Sequence, residues 1–243
     1  REACGMTIQK LSIATLDTET VGLEGHVYDI GYCIHDKRGN IALERNWLVE
    51  ENFTNPKRMM GAFYAGKHFT HYARMLQDGE IRLTPWAEIV GTMRADFLAH
   101  GVDVVAAYNA GFDFRVLRQT HADLGGEGAI LQSPVKILDI WQFACETKLS
   151  QKAYANIARS QGWISPAGNI KTGAEFAHRY CSGDLSFIED HTALSDARIE
   201  VAILAECFKQ KRRVPYGIVN AQPWRIVNEN AGDDPDVHGS RVA

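Results

Sequence analysis

Asp17 and Glu19 close an apolar run, Ile13, Ala14, Thr15 and Leu16, that has the pattern of a strand. Two residues apart on a strand, their carboxylates fall on one face. Side by side they repel, and burying an ion beside a strand end costs on the order of several kcal/mol. A divalent cation relieves both problems, because hard cations take carboxylate oxygens as ligands. A solvated strand end explains a lone D-x-E pair equally well. A second acid, Asp113, follows the buried run 104–108 and the residues Asn109, Ala110, Gly111 and Phe112. It opens a helix just past the carboxyl end of a strand, where α/β folds place ligands. The helix dipole alone also favours an acid there. The third element is His191, five residues before Asp196 across a helix start, with Asp190 or Thr192 as caps. From Ala193 to Phe208 the polar residues are Ser195, Asp196, Arg198, Glu200 and Glu206. That helix is therefore largely buried, and Asp196 needs a partner.

These residues must be positioned by regular elements. Residues 7–16 read as a strand ending at Asp17, and 26–36 and 40–50 as two more, joined by Gly-rich and KRGN turns. Three successive strands make an antiparallel meander. The run 85–101 has helical spacing at Trp86, Ile89, Val90, Met93, Phe97 and Leu98, with Pro85 at its start and Gly101 as its stop. Residues 104–108 and 134–140 read as buried parallel strands. Helices are expected after Asp113, near 140–148, 153–162 and 172–181, and from His191 to Arg213. The fold class is α/β: a mixed five-stranded sheet, antiparallel meander plus parallel strands, with helices on both faces. Residues 52–84 read as two or three short helices in a surface excursion. Residues 1–5 read as an addition ahead of a natural start at Met6. The main domain is expected over 6–213. Residues 214–243 read as an aperiodic extension lying over the surface, with the terminal ten disordered.

The chain has 243 residues, is 45% hydrophobic and carries a net charge of −4. An acidic balance argues against holding nucleic acid by bulk charge, though not against a local patch or a metal site. Five cysteines without a CxxC spacing argue against a disulfide framework or structural zinc and favour a reducing, cytoplasmic compartment. No apolar run is long enough to span a membrane. Lys148, Lys152, Arg159, Lys171 and Arg179 are scattered basics that could approach a polyanion. The run Lys209–Arg213 reads as a solvated helix end. His68 and His71 form a weak metal pair, and Phe63, Tyr64, Phe69 and Tyr72 read as core aromatics.

The ordered acids and histidine resemble the DEDDh group of DnaQ-like 3′–5′ exonucleases, which share an RNase H-like fold. The family's D-x-E followed by T-x-G-L corresponds to Asp17, Glu19, Thr20, Gly22 and Leu23. Its N-x-x-F-D corresponds to Asn109, Phe112 and Asp113, and its H-x-x-x-x-D to His191 and Asp196. The segment bearing Asp139 resembles the family's strand-then-helix unit. D-x-E or H-x4-D alone is a weak signal, but the set in order is a strong one. The likeness spans residues 7–210, with Val21 where a second threonine is frequent.

The resemblance implies that Asp17, Glu19, Asp113 and Asp196 hold two divalent cations, Mg²⁺ or Mn²⁺. His191 would be the general base, since imidazole titrates near neutrality. Thr20, Leu23, Asn109 and Phe112 would line the site of the terminal nucleotide. It further implies hydrolysis from the 3′ end of nucleic acid, with DNA favoured over RNA, releasing nucleoside 5′-monophosphates. The partner would be nucleic acid with a free 3′ end, with a polymerase or repair protein beyond it and no membrane. An RNase H-like endonuclease and a catalytically silent nucleic-acid-binding module remain the alternatives.

Overall fold

The structure, a computed structural model, describes residues 11–23, 25–62, 65–131, 134–210 and 212–232. Strands β1 (Ile13–Thr20), β2 (Val27–His35) and β3 (Ile41–Val49) form the antiparallel meander. The excursion follows: α1 (Glu50–Phe53), α2 (Pro56–Met59), α3 (Ala65–Asp78) and β4 (Arg82–Thr84). Then come α4 (Trp86–Ala99), β5 (Val104–Ala107), α5 (Ala110–Asp123), β6 (Lys136–Asp139) and α6 (Ile140–Glu146). The remaining helices are α7 (Lys152–Ser160), α8 (Ala174–Ser182), α9 (Ala193–Phe208) and α10 (Trp224–Gly232).

The sheet order is β4-β3-β2-β1-β5-β6, with β5 parallel to β1 and β6 parallel to β5. This is the RNase H-like arrangement of meander and parallel strands. The sequence predicts five strands and, among the described residues, the sheet has six. The extra strand, β4, pairs with β3 over three residues, too few to display a period. β1 also starts later than predicted, at Ile13, and runs on through both acids to Thr20.

Alternation along the strands divides the core. Ala14, Leu16, Val105 and Ala107 face α4 and α5 with Trp86, Ile89, Met93, Val116 and Leu117. Ile13, Val104 and Ala106 face the opposite layer, with Phe143, Tyr154, Ile203 and Leu204. Neighbours two apart therefore share a face, as strand geometry requires.

Residues 214–232 differ from the predicted aperiodic surface run. α10 packs against α6 and α7, and Val227 lies in the core. Asn228 Oδ1 accepts the Ile170 N–H at 2.8 Å. The helix was missed because Pro215, Gly217 and Pro223 interrupt the approach to it. Residues 1–10, and the terminal ten for which disorder is expected, lie outside the described residues.

Candidate active site

Asp17 and Glu19 lie on β1 opposite Gly31 and Asp29 of β2. By the alternation above they face the α9 side of the sheet. Gly31 makes room for the first turn of α9: a Cβ there would stand 2.4 Å from the Leu194 nitrogen. The bare strand thus lets α9 descend onto β1 beside Asp17.

Asp113 arrives from the other layer. Asn109, past the end of β5, takes φ = 67°, a left-handed turn that asparagine tolerates better than most residues. The chain then enters α5, and Asp113 in its first turn accepts the Thr18 hydroxyl at 2.8 Å. Because β1 and β5 are parallel, both deliver their acids at the same end of the sheet, toward the carboxyl ends of the strands. Asp139, at the end of β6, caps α6 through the Gln142 N–H at 3.1 Å and raises Asp113 electrostatically.

α9 brings the third group. The sequence predicts a cap from Asp190 or Thr192, but Thr192 makes no side-chain cap, and Asp190 instead binds the Thr192 N–H and hydroxyl. The cap comes from β2: Asp29 Oδ2 accepts the Ala193 N–H at 3.1 Å and the Tyr72 hydroxyl at 2.8 Å. No local sequence pattern announces it, since 164 residues separate Asp29 from Ala193. His191, just before the helix, has φ = 58°, an uncommon conformation for a residue with a Cβ. Strain of this kind persists where surrounding structure holds it, often at functional sites. Its Nδ1 is 3.8 Å from Glu189 Oε2 and 4.0 Å from Asp196 Oδ2.

The acids act on one another. Burial, then the charges of Glu200, Asp113, Asp196 and Glu19, raises Asp17 well above the ordinary carboxylate range. Burial and the charge of Asp29 push Glu19 up to about 9. Asp196 rises to about 10, through burial and then Glu189 and Glu19. Burial lifts Asp113 to about 7 against the bond from Thr18. Glu189 rises to about 7 through burial and the charge of Glu175. Such mutual elevation is what hard cations remove. Ligand atoms of Glu19, His191 and Asp196 lie within 4.8 Å of one another, so the two carboxylates stand close enough to share a divalent ion, with the imidazole beside them. Sequence reading did not assign Asp29, Glu189 or Glu200 to this cluster.

The residues expected to meet substrate lie next to the acids in the chain. Thr20 donates to the Gly22 carbonyl at 2.9 Å, shaping the turn that leaves Leu23 78% exposed. Arg115 holds the Leu23 carbonyl at 2.8 Å and lies 5.3 Å from the centre of the Phe112 ring. Asn109 shapes the turn through its backbone, and its side chain does not cap α5.

The excursion contributes structure here: Tyr72 is buried against Asp29, and Gly61 lies beside Val21. Phe69 departs from its predicted core position and is exposed. Phe63 and Tyr64 lie outside the described residues. Most of the scattered basics brace helices: Lys148 pairs with Glu206, Arg179 with Glu175, and Arg159 binds the Ala231 carbonyl. An apolar cavity of about 680 Å³ lies elsewhere, between α5 and residues 126–131, lined by Phe114, Leu117, Ile130 and Leu131. It excludes the acids, so its size does not make it the chemical site.

The fold is α/β, and the acid cluster lies where β1, the β5–α5 turn and α9 meet. Among solved structures the chain is similar to a product-bound exonuclease I, at 14% identity and a TM-score of 0.55, over 84% of this chain and 44% of that one. It is similar to exonuclease I from Methylocaldum szegediense, at 16% identity and a TM-score of 0.55, over 83% and 41% of the two chains. It is also similar to the zinc-bound form of the E. coli exonuclease I complex with single-stranded DNA, at 14% identity and a TM-score of 0.53, over 84% and 41%. The chain thus spans less than half the length of these exonuclease I chains. No family model matches it, and no curated protein matches it in sequence. The shared feature is the fold, which is the one implied by the motif resemblance. Among the described residues no helix is long and apolar enough to cross a membrane.

Proposed function

We propose that the protein is a metal-dependent 3′–5′ exonuclease acting on DNA and releasing nucleoside 5′-monophosphates. The observation that carries this reading is the convergence of Asp17, Glu19, Asp113 and Asp196 with His191 at one end of the sheet, in family order. The four carboxylates would hold two Mg²⁺ or Mn²⁺ ions. Bound ions would polarise the scissile phosphate and make water a better nucleophile.

The chain's own groups supply the rest. His191, at the rim and beside Asp196, would accept the proton of the attacking water. The exposed Leu23 would pack on the terminal base, and Arg115 steadies its loop. Thr20, Asn109 and Phe112 would complete a pocket for the terminal nucleotide. The DNA named in the exonuclease I complexes supports this substrate class.

Digestion of a DNA oligonucleotide tests the reading. Activity should disappear with EDTA and return with Mg²⁺ or Mn²⁺. Asp17→Ala should abolish turnover while the metal-free protein stays folded, since the change relieves a like-charge cluster. His191→Ala should slow turnover about 10²–10⁴-fold with metal binding retained. Full activity in chelator, or an unchanged rate in Asp17→Ala, contradicts the proposal.

A further inference from the structure

Glu200 lies four residues after Asp196 on α9, one turn along the same face. It is 2% exposed, and its Oε2 accepts the backbone N–H of Tyr108 at 3.2 Å. Tyr108 follows the last residue of β5, and Ala107 is the final β5 partner in the ladder with β6. Directly after it, Asn109 makes the left-handed turn that delivers Asp113. Glu200 therefore bonds the helix of Asp196 to the turn of Asp113.

Its surroundings make an acid costly here. Beyond burial, the charges of Asp113 and Asp196 oppose its ionisation. A leucine would avoid that cost but would leave the Tyr108 N–H without its acceptor. A buried donor without a partner is rare in folded proteins. The acid therefore offers the backbone something an apolar residue cannot.

We propose that Glu200 is a positioning residue: its bond to the Tyr108 N–H registers α9 against the β5–α5 turn and so sets the spacing of Asp196 and Asp113 for divalent cations. This inference rests on the metal-dependent reading above. Glu200 acts through those two acids, and no contact with substrate is required of it.

The test is Mn²⁺ binding to the purified protein by calorimetry, alongside kinetics, for wild type, Glu200→Gln and Glu200→Leu. Glutamine keeps an acceptor oxygen in place, whereas leucine removes it. Glu200→Leu should weaken Mn²⁺ binding about 10–100-fold, and Glu200→Gln should stay within about threefold of wild type, as for partners that orient metal ligands. In kinetics the leucine variant should lose kcat more than it raises KM, and glutamine should rescue it.

Wild-type affinity in Glu200→Leu overturns the inference, as does an equal loss in Glu200→Gln. If the leucine variant does not fold, Tyr108 amide exchange decides: slow in both wild type and Glu200→Gln is expected, and unprotected exchange in wild type overturns the inference. A wild type that binds no divalent cation overturns the metal-dependent reading as well. Cation binding by wild type with no difference among the variants overturns the Glu200 inference alone.

Discussion

Glu19 and Asp29 are direct partners across the β1–β2 ladder, so two carboxylates stand opposite each other on the face that receives α9. They have different surroundings. Asp29 is bonded by Tyr72 and the Ala193 N–H, and rises to about 6 through burial that these bonds offset. Glu19, pushed up to about 9 by burial and the charge of Asp29, stands with His191 and Asp196. Under the metal-dependent proposal Glu19 would be the ligand, and Asp29 holds the helix that brings Asp196 and His191.

Asp29→Ala should accordingly destabilise the protein. It removes the acceptor of two buried donors, each worth about 1–3 kcal/mol when left unsatisfied. Tyr72→Phe removes one donor and should cost about 1 kcal/mol. Urea denaturation of the two variants checks the order. An Asp29→Ala protein as stable as wild type would refute the capping role.

Gly31→Ala tests the seat of α9. The added methyl would meet the Ala193–Leu194 backbone, whose nearest atom is 2.4 Å away, so the helix start must move. Overpacking typically costs about 1–3 kcal/mol. The variant should lose both melting temperature and Mg²⁺ affinity, since Asp196 moves with the helix. Unchanged affinity in calorimetry would show that the first turn of α9 does not set the site.

The acid cluster also predicts how stability varies with pH. In the metal-free protein Asp113 is raised to about 7, Glu19 to about 9 and Asp196 to about 10. In the unfolded chain such carboxyls titrate near about 4. Between these limits the folded state binds more protons, so stability falls as pH rises. Cations should reverse the trend. Scanning calorimetry without metal should give a higher Tm at pH 5.5 than at pH 8.5, with Mg²⁺ raising Tm more at pH 8.5. A metal-free Tm that climbs across this interval would contradict the cluster.

Much of this arrangement was legible in the residues. Asp17 and Glu19 show the period of a strand, and the apolar stripe of α9 makes Asp196 conspicuous. Asp113 follows a short apolar run, as a buried parallel strand does. What stayed hidden depends on tertiary contact. Asp29 reads as one polar position in an alternating strand, and its cap on Ala193 arises only when β2 meets α9. Glu200 looks like any helix glutamate until Tyr108 arrives from β5. Tyr72 reads as an ordinary core aromatic, yet its hydroxyl completes the support of Asp29. β4 was too short for a period, and α10 is preceded by breakers.

The most direct test of the central proposal compares a linear, 5′-labelled single strand of DNA with a circular one of matched sequence, in Mg²⁺. Leu23 and Phe112 both meet Arg115, and a terminal nucleotide seated against them would make a free 3′ end part of the site. The linear strand should shorten one nucleotide at a time and release nucleoside 5′-monophosphates, a 3′-phosphate should slow it strongly, and the circle should resist. Cleavage of the circle at a rate comparable to the linear strand would contradict the exonuclease assignment and favour an endonuclease on the same fold.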